Sequence, residues 1–182
     1  MNTKRHVCLL RGINVAGHRK LKMAELRKIF EDLGGGSVES YLQSGNVVFE
    51  ISPNALKPAL ISNALKEATG HEITVFLYTK TAFENVVRAN PFTDESQYDS
   101  KWLHLTFLTK PKTNSRPEGH LTQENGDEAR FAAGHYFVYC PNGYGRTKLN
   151  NQFLERQTGL PATTRNWKTV STLLQMLRDQ TA

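Results

Sequence analysis

The chain has 182 residues, with 23 Lys or Arg against 17 Asp or Glu, and a formal net charge of +6. With 38% hydrophobic and 22% charged residues, its composition is that of a soluble globular protein and excludes a disordered or fibrous one. It lacks the run of 18 or more apolar residues that predicts a membrane-spanning helix, so no membrane partner is expected.

The first residues carry charge before a short apolar stretch, but Arg11 interrupts that stretch and no signal-peptide cleavage pattern follows. Cys8 and Cys140 lie far apart, each inside an apolar run, which is typical of reduced and buried thiols. These features predict a cytoplasmic protein without disulfides.

The first half of the chain alternates between strand and helix patterns. The predicted elements are a strand run over residues 5–15, a helix over 23–33, strands over 38–43 and 46–51, a helix from 53 to about 69, and a strand over 72–79. Gly34 to Gly36 end the first helix, and Ser44-Gly45 predicts a tight hairpin turn between the two short strands. This β-α-β-β-α-β order is typical of the ferredoxin-like fold, an antiparallel sheet covered on one face by two helices.

The second half predicts another α+β unit of the same layered type. Its elements are a helix over residues 81–91, a strand over 102–109, a polar connection over 111–128, a hairpin over 128–141 that turns at Gly134, a helix over 149–157, an irregular or short extended piece over 161–166, and a helix over 170–178. We therefore expect an α+β fold with two ferredoxin-like subdomains, at residues 1–80 and 81–182. No tandem repeat is visible in the sequence at residue level.

Positive charge is concentrated near the two ends of the chain. Residues 1–28 hold eight basic residues and one acidic residue, residues 142–178 hold six and one, and residues 92–128 hold four and seven. Clustered Lys and Arg raise the local concentration of anions, so this distribution favours an anionic ligand at the basic regions. A solvated surface without a partner stays an open alternative.

Most catalytic signatures are absent from the sequence. The segment from Gly12 to Gly17 has the glycine spacing of a phosphate-binding loop, but His18-Arg19 stands where such a loop needs Lys and then Ser or Thr. The six His residues are scattered and the two Cys residues lack ligand spacing, so neither a metal site nor a cofactor is expected. Ser44 does not lie in a nucleophile elbow, and no catalytic residue can be assigned.

Loops rich in Gly, Asn, Ser, Thr and Arg remain as candidates for binding. Backbone amides of such loops, together with Arg or Lys side chains, hold phosphate and carboxylate groups in proteins. The predicted anion-binding residues are Arg11, Lys22, Ser44, Asn46, Asn142, Arg146, Lys148, Arg165 and Asn166. The basic members are expected on one face or cleft, with Ser44 to Asn46 at its floor. Structural roles stay open for several of them: Asn46 as a strand-start cap and Asn142 as a turn residue.

The same segments resemble a known family. The blocks LLRGINVAG, KLKMAELR, YLQSGNVVFE and CPNGYGRTKLNNQFLERQTGLPATTRNWKTV are similar to the signature blocks of the bacterial domain-of-unknown-function family 1697. The resemblance spans residues 7–50 and 139–175. It implies a two-part α+β protein with ferredoxin-like subdomains, and it implies no reaction.

Three hypotheses about function follow. The first is a cytoplasmic binding protein for a phosphorylated or other anionic ligand, either nucleotide-like or the backbone of a nucleic acid. The second is a metal-independent enzyme that acts on a phosphorylated small molecule, for which no general base can be identified. The third is a structural or partner-binding protein whose loop motifs hold the subdomain interface. The sequence does not decide whether the chain is an enzyme, and it leaves the oligomeric state open.

Overall fold

A computed structural model describes residues 3–15, 20–52, 55–109 and 119–179. The chain divides into two compact units: the first extends to Phe83 and resumes at Leu173, and the second extends from Glu84 to Thr172. The sequence placed the division after residue 80 and assigned the whole remainder to one subdomain. The last helix instead contributes its final turns to the first unit.

The first unit has the predicted order of elements. They are β1 (Lys4–Leu10), α1 (Met23–Asp32), β2 (Gly36–Tyr41), β3 (Asn46–Ile51), α2 (Pro58–Thr69) and β4 (Val75–Thr79), and α3 (Lys80–Arg88) follows at once. The sheet order is β2-β3-β1-β4 and every neighbouring pair is antiparallel. This is the ferredoxin-like arrangement that the sequence predicted.

One face of this sheet packs against α1 and α2. Phe30 of α1 packs against Phe49 of β3 with ring centroids 4.9 Å apart and the ring planes tilted by 57°, and Leu65 of α2 belongs to the same buried cluster. Helix α2 begins at Pro58, because proline is favoured at the first helical position, where its missing N–H costs nothing. Its predicted start at Pro53-Asn54 lies outside the described residues.

The described residues of the second unit form five strands. Its elements are β5 (Leu103–Leu108), β6 (His120–Thr122), β7 (Glu128–Ala132), β8 (His135–Tyr139), α4 (Asn151–Thr158), β9 (Ala162–Asn166) and α5 (Trp167–Arg178). The sheet order is β6-β7-β8-β5-β9, again with antiparallel neighbours. Without β6, the order β7-β8-β5-β9 repeats the order of the first sheet, so the predicted α+β fold with two antiparallel sheets is confirmed.

The differences from prediction lie at short elements. Strand β6 falls inside the stretch 111–128 that the sequence predicted as a connection, because its three residues are too few to show an alternating pattern. The piece predicted as irregular or extended over 161–166 is the edge strand β9, and α5 begins at Trp167 rather than at residue 170. Cys8 and Cys140 are buried free thiols, as predicted.

A similar helix end occurs in both units. Helix α2 ends in Leu65-Lys-Glu-Ala-Thr69-Gly70 and α4 ends in Leu154-Glu-Arg-Gln-Thr158-Gly159. In both, the Thr hydroxyl donates to the Leu carbonyl, at 2.7 and 2.8 Å, and accepts an N–H from two residues later at 3.2 Å. The following glycine has a left-handed φ, of 72° and 68°. The motif spans six residues, which is too short to stand out without the shared geometry.

Candidate functional site

The predicted site residues fall into two groups, one in each unit. The first unit holds Arg11, Lys22, Ser44 and Asn46, and the second holds Asn142, Arg146, Lys148, Arg165 and Asn166. Convergence of the two groups on one face stays a prediction. Within each unit, however, the contacts of these residues separate those that hold the fold from those that point to solvent.

Asn46 is a buried loop-closing residue. It is the first residue of β3 and is fully buried, and its Nδ2 donates to the Tyr41 carbonyl at 2.7 Å and to Ser44 Oγ at 3.0 Å. These bonds close the loop between β2 and β3, which runs over residues 42–45. The observed contacts of Asn46 therefore support the structural alternative that the sequence left open for this residue.

The glycine of this loop packs against the end of β1. Gly45 has φ +78°, and a Cβ placed there would lie 2.6 Å from Ile13 Cδ1 and 2.9 Å from Leu10 Cβ. Its carbonyl accepts the Leu10 N–H at 2.8 Å. Since other residues disfavour this φ and would meet these atoms, the position requires glycine.

Asn14 is a structural residue that the sequence patterns above did not indicate. Its φ is +54°, and its Nδ2 donates to the Leu21 carbonyl at 2.9 Å and to the Gln43 carbonyl at 2.8 Å, while its Oδ1 accepts the Leu21 N–H at 2.9 Å. One side chain thus ties the loop after β1 both to the start of α1 and to the β2–β3 loop. The signal that could have found it is an Asn two residues after Gly12, since Asn is enriched in left-handed conformations.

The two predicted cations of the first unit differ in exposure. Arg11 is half-buried, and its backbone N–H donates to the Thr74 carbonyl at 3.1 Å. Lys22 is exposed immediately before α1, where its carbonyl accepts the first helical bond from Leu26 at 2.9 Å. Lys22 therefore presents its charge to solvent at the positive end of a helix.

Arg165 and Asn166 make structural contacts in the second unit. Arg165 is 7% exposed, and its Nη1 donates to Thr163 Oγ1 at 2.8 Å and to the Thr164 carbonyl at 2.9 Å. Asn166 Oδ1 accepts the Thr169 N–H at 2.8 Å and so caps the start of α5. Arg165 and Asn166, which both lie in the TTRNW segment, are therefore hydrogen-bonded within the chain.

A polar cluster lies beside these residues and joins the GYG and TTR segments. The Thr164 hydroxyl donates to Asn151 Oδ1 at 2.6 Å, accepts from Tyr144 Oη at 3.0 Å, and lies 2.7 Å from Thr106 Oγ1. Since a hydroxyl donates once and accepts twice, Thr106 is the donor in the third bond. His104 stacks on Tyr144 with ring centroids 4.6 Å apart. Burial lowers the pKa of His104 and raises that of Tyr144.

The loop after β8 begins at a thiol that stays protonated near neutral pH. Burial raises the pKa of Cys140 to about 11; the Thr147 hydroxyl acts against this and the Asp127 carboxylate acts with it. A thiol with this pKa is a weak nucleophile. The structure therefore supports the interpretation of Cys140 as a small hydrophobic residue.

Arg146 and Lys148 lie together on a polar depression of about 450 Å³. The opposite wall is the segment from Thr122 to Asn125, which includes the acidic Glu124. Both basic side chains are exposed, and within residues 3–15, 20–52, 55–109 and 119–179 neither forms a salt bridge or a side-chain hydrogen bond. This is the place where the structure brings predicted cations to one surface.

Asn142 fixes the wall of this depression. Its Nδ2 donates to the Asn125 carbonyl at 2.8 Å, and Asn125 Nδ2 donates in turn to Asp127 Oδ2 at 2.9 Å. The sequence predicted a connection over these residues and so missed the wall at Gln123 to Asn125. Asn150 caps helix α4, because its Oδ1 accepts the Phe153 N–H at 3.1 Å.

A family model described as "Protein of unknown function (DUF1697)" matches residues 3–139, which is more than half of the chain. The chain belongs to this family. The DUF1697 match ends before the loop that carries Asn142, Arg146 and Lys148. No curated protein matches the chain.

The conserved bacterial protein SP0830 from Streptococcus pneumoniae has a similar structure. It is 24% identical, the TM-score is 0.68, and the likeness covers 98% of this chain and 100% of that one. At this identity the likeness shows the fold alone, and it extends that fold beyond the end of the family match.

Metal ligation and membrane insertion both need features that the described residues lack. In the part of the chain that the structure describes, no three His, Cys, Asp or Glu side chains group closely enough to hold a metal ion. Across the same residues, none of the helices has both the length and the apolar character needed to span a bilayer.

Proposed function

We propose that this DUF1697 protein binds a phosphorylated or other anionic ligand at the depression formed by Arg146, Lys148 and residues 122–125. The observation that carries the proposal is the meeting of these two cations, neither paired with a described carboxylate, on one polar cavity. Lys and Arg side chains combined with amide donors are the usual means of holding phosphate oxygens.

The neighbouring contacts give the other predicted residues a supporting role in this proposal. Asn142 holds the wall at Asn125, and the Tyr144–Thr164 hydrogen bond anchors the loop on which Arg146 and Lys148 lie. Glu124 on the opposite wall offsets one positive charge and favours ligands that also carry a hydrogen-bond donor. The depression is open and lined by short polar segments, which suits a phosphate group more than a large apolar ligand.

The test is a double charge reversal with a matched control. Arg146→Glu with Lys148→Glu should weaken binding of ATP and pyrophosphate by at least tenfold in calorimetric titrations. Arg156→Glu with Lys168→Glu changes the net charge equally, at two exposed positions of the same unit, and should leave binding within about twofold. Equal loss in both double variants would show that only overall charge matters and would overturn the site.

A second arm separates a small ligand from a nucleic acid. For duplex DNA, log K should fall with log salt with a slope of roughly −0.9 for each phosphate neutralised. A short duplex bound with a steep slope, and weakened by the same double reversal, would assign the depression to a nucleic-acid backbone. Binding of ATP without duplex binding would assign it to a small molecule.

A further inference from the structure

A second cavity, also of about 450 Å³, lies in the first unit at the start of β1 and the ends of β3 and β4. The cavity is lined by residues 3–5, 50 and 79–81, and by residues 177–179 at the end of α5. Its volume is within the range of pockets that hold small ligands. None of its lining residues belongs to the anion-binding set predicted from the sequence.

The cavity carries more positive than negative side chains. Lys4, Arg5, Lys80 and Arg178 line it, against Glu50 and Asp179. Arg5 Nε donates to Glu50 Oε1 at 3.1 Å, so this carboxylate is already matched by a guanidinium. Arg5 also donates through Nη1 to the Met176 carbonyl, which fixes the guanidinium between β3 and α5.

The excess charge rests on the two lysines. Arg178 and Asp179 balance each other formally, which leaves Lys4 and Lys80. Among the residues that the structure describes, neither lysine ammonium has a carboxylate within salt-bridge distance or any hydrogen bond. Lys80 is half-buried as a residue and Lys4 is exposed, and both line the cavity.

The register of the sheet places the two lysines on neighbouring segments of the chain. Strands β1 and β4 pair antiparallel, with His6 opposite Thr79. Lys4 precedes His6 by two residues and Lys80 follows Thr79 directly, so both lysines lie at the same end of this strand pair. The hydroxyls of Thr3 and Thr81 also line the cavity and add donors. Thr79 Oγ1 accepts the Ala82 N–H at 3.2 Å and so caps the start of α3.

We infer that this cavity is a separate binding site for a small molecule that carries a terminal phosphate monoester. Two ammonium groups match a dianion, and a phosphate monoester carries about −1.5 to −2 charges at pH 7. The phosphate binds between Lys4 and Lys80, and the remainder of the ligand occupies the cavity towards Leu177. The site does not depend on the depression at Arg146 and Lys148.

The experiment follows the backbone amide resonances of the whole chain by NMR during titration with glycerol 3-phosphate, with glycerol as the uncharged reference. Saturable shifts are expected at residues 3–5, 79–81 and 177–179. Lys4→Gln with Lys80→Gln should weaken the fitted affinity at least tenfold. Lys20→Gln with Lys57→Gln removes the same charge at two exposed positions of the same unit and should leave it within about twofold.

The outcomes separate this site from the one proposed above. Shifts confined to residues 122–125 and 144–148 would support only the depression and would overturn this inference. Equal weakening in both lysine pairs, or no saturable shift at the cavity, would also overturn it. Thermal unfolding of each variant shows whether a lost response comes from a lost fold.

Discussion

The two units satisfy the same backbone group in different ways. The last residue of the first strand is Leu10 in one unit and Leu108 in the other, and each is buried. The Leu10 N–H donates to the Gly45 carbonyl at 2.8 Å, whereas the Leu108 N–H donates to His135 Nδ1 at 3.1 Å. A buried N–H must be paired, so one topology accepts either a backbone or a side-chain acceptor.

This difference determines how each unit can fail. The first solution demands a close backbone approach and therefore a glycine. The second leaves the backbone free but depends on the protonation state of an imidazole, because Nδ1 can accept a hydrogen bond only when it carries no proton. The first unit is thus sensitive to side-chain volume at this position, and the second is sensitive to pH.

The largest expected effect comes from Gly45→Ala. A Cβ at 2.6 Å from Ile13 Cδ1 forces local rearrangement, and φ is +78°. Overpacking costs roughly 1–3 kcal/mol and a left-handed residue roughly 1–2 kcal/mol, so we expect a loss of about 4 kcal/mol in the free energy of unfolding. Urea unfolding measures it.

Gly134→Ala, in the hairpin of the second unit, is the control. Its φ is +83°, but a Cβ added there would meet no atom within 4 Å, so only the backbone cost of about 1 kcal/mol is expected. Losses of the same size at Gly45 and Gly134 would contradict the role given to the contact with β1.

The next effect is a pH dependence that arises in the second unit. Burial lowers the pKa of His135 to about 4 from 6.5. Between these values the unfolded chain binds the proton and the folded chain does not, so stability falls as the pH falls from 6.5 to 4 and this contribution then levels off. At about 1.4 kcal/mol per pH unit, the loss is about 3 kcal/mol, measurable as the urea midpoint against pH.

His135→Asn keeps an acceptor near the Nδ1 position and removes the titration. Most of the dependence of stability on pH between 4 and 6.5 should therefore disappear. A smaller slope should remain, because burial also lowers the pKa of His104. An unchanged slope in this variant would place the pH dependence elsewhere.

The smallest effect should be equal in the two units. Thr69→Val and Thr158→Val each remove one hydroxyl that donates to a carbonyl and accepts an N–H at the same helix end. We expect each change to Val to lower the free energy of unfolding by about 1 kcal/mol, and the matched Thr→Ser variants to be nearly as stable as the wild type. Costs that differ several-fold would show that the shared geometry does not carry a shared energy.

The sequence was sufficient for most of the fold because its signals are local. Period and glycine positions predicted α1, the β2–β3 hairpin and the turn at Gly134. Strand β6 was missed because its three residues are too few to show a period.

The candidate sites depend on contacts between distant segments, which composition cannot supply. Asn142 and Arg165 looked alike as loop or strand-end polar residues, yet one fixes the wall of a cavity and the other is buried within its own strand. The cavity with Lys4 and Lys80 joins the opening of β1, the start of α3 and the end of α5. No local pattern indicates that these three segments meet.

The bond between Arg5 and the Met176 carbonyl has a consequence for synthesis on the ribosome. It joins residues 171 positions apart, and both belong to the first unit. The sheet of that unit is made before residue 80, but its last contacts form only after the second unit has been translated. The first unit is therefore incomplete during the synthesis of the second. A nascent chain stalled before Leu173 should expose the surface that α5 later covers, and chaperones or proteases should act on that surface.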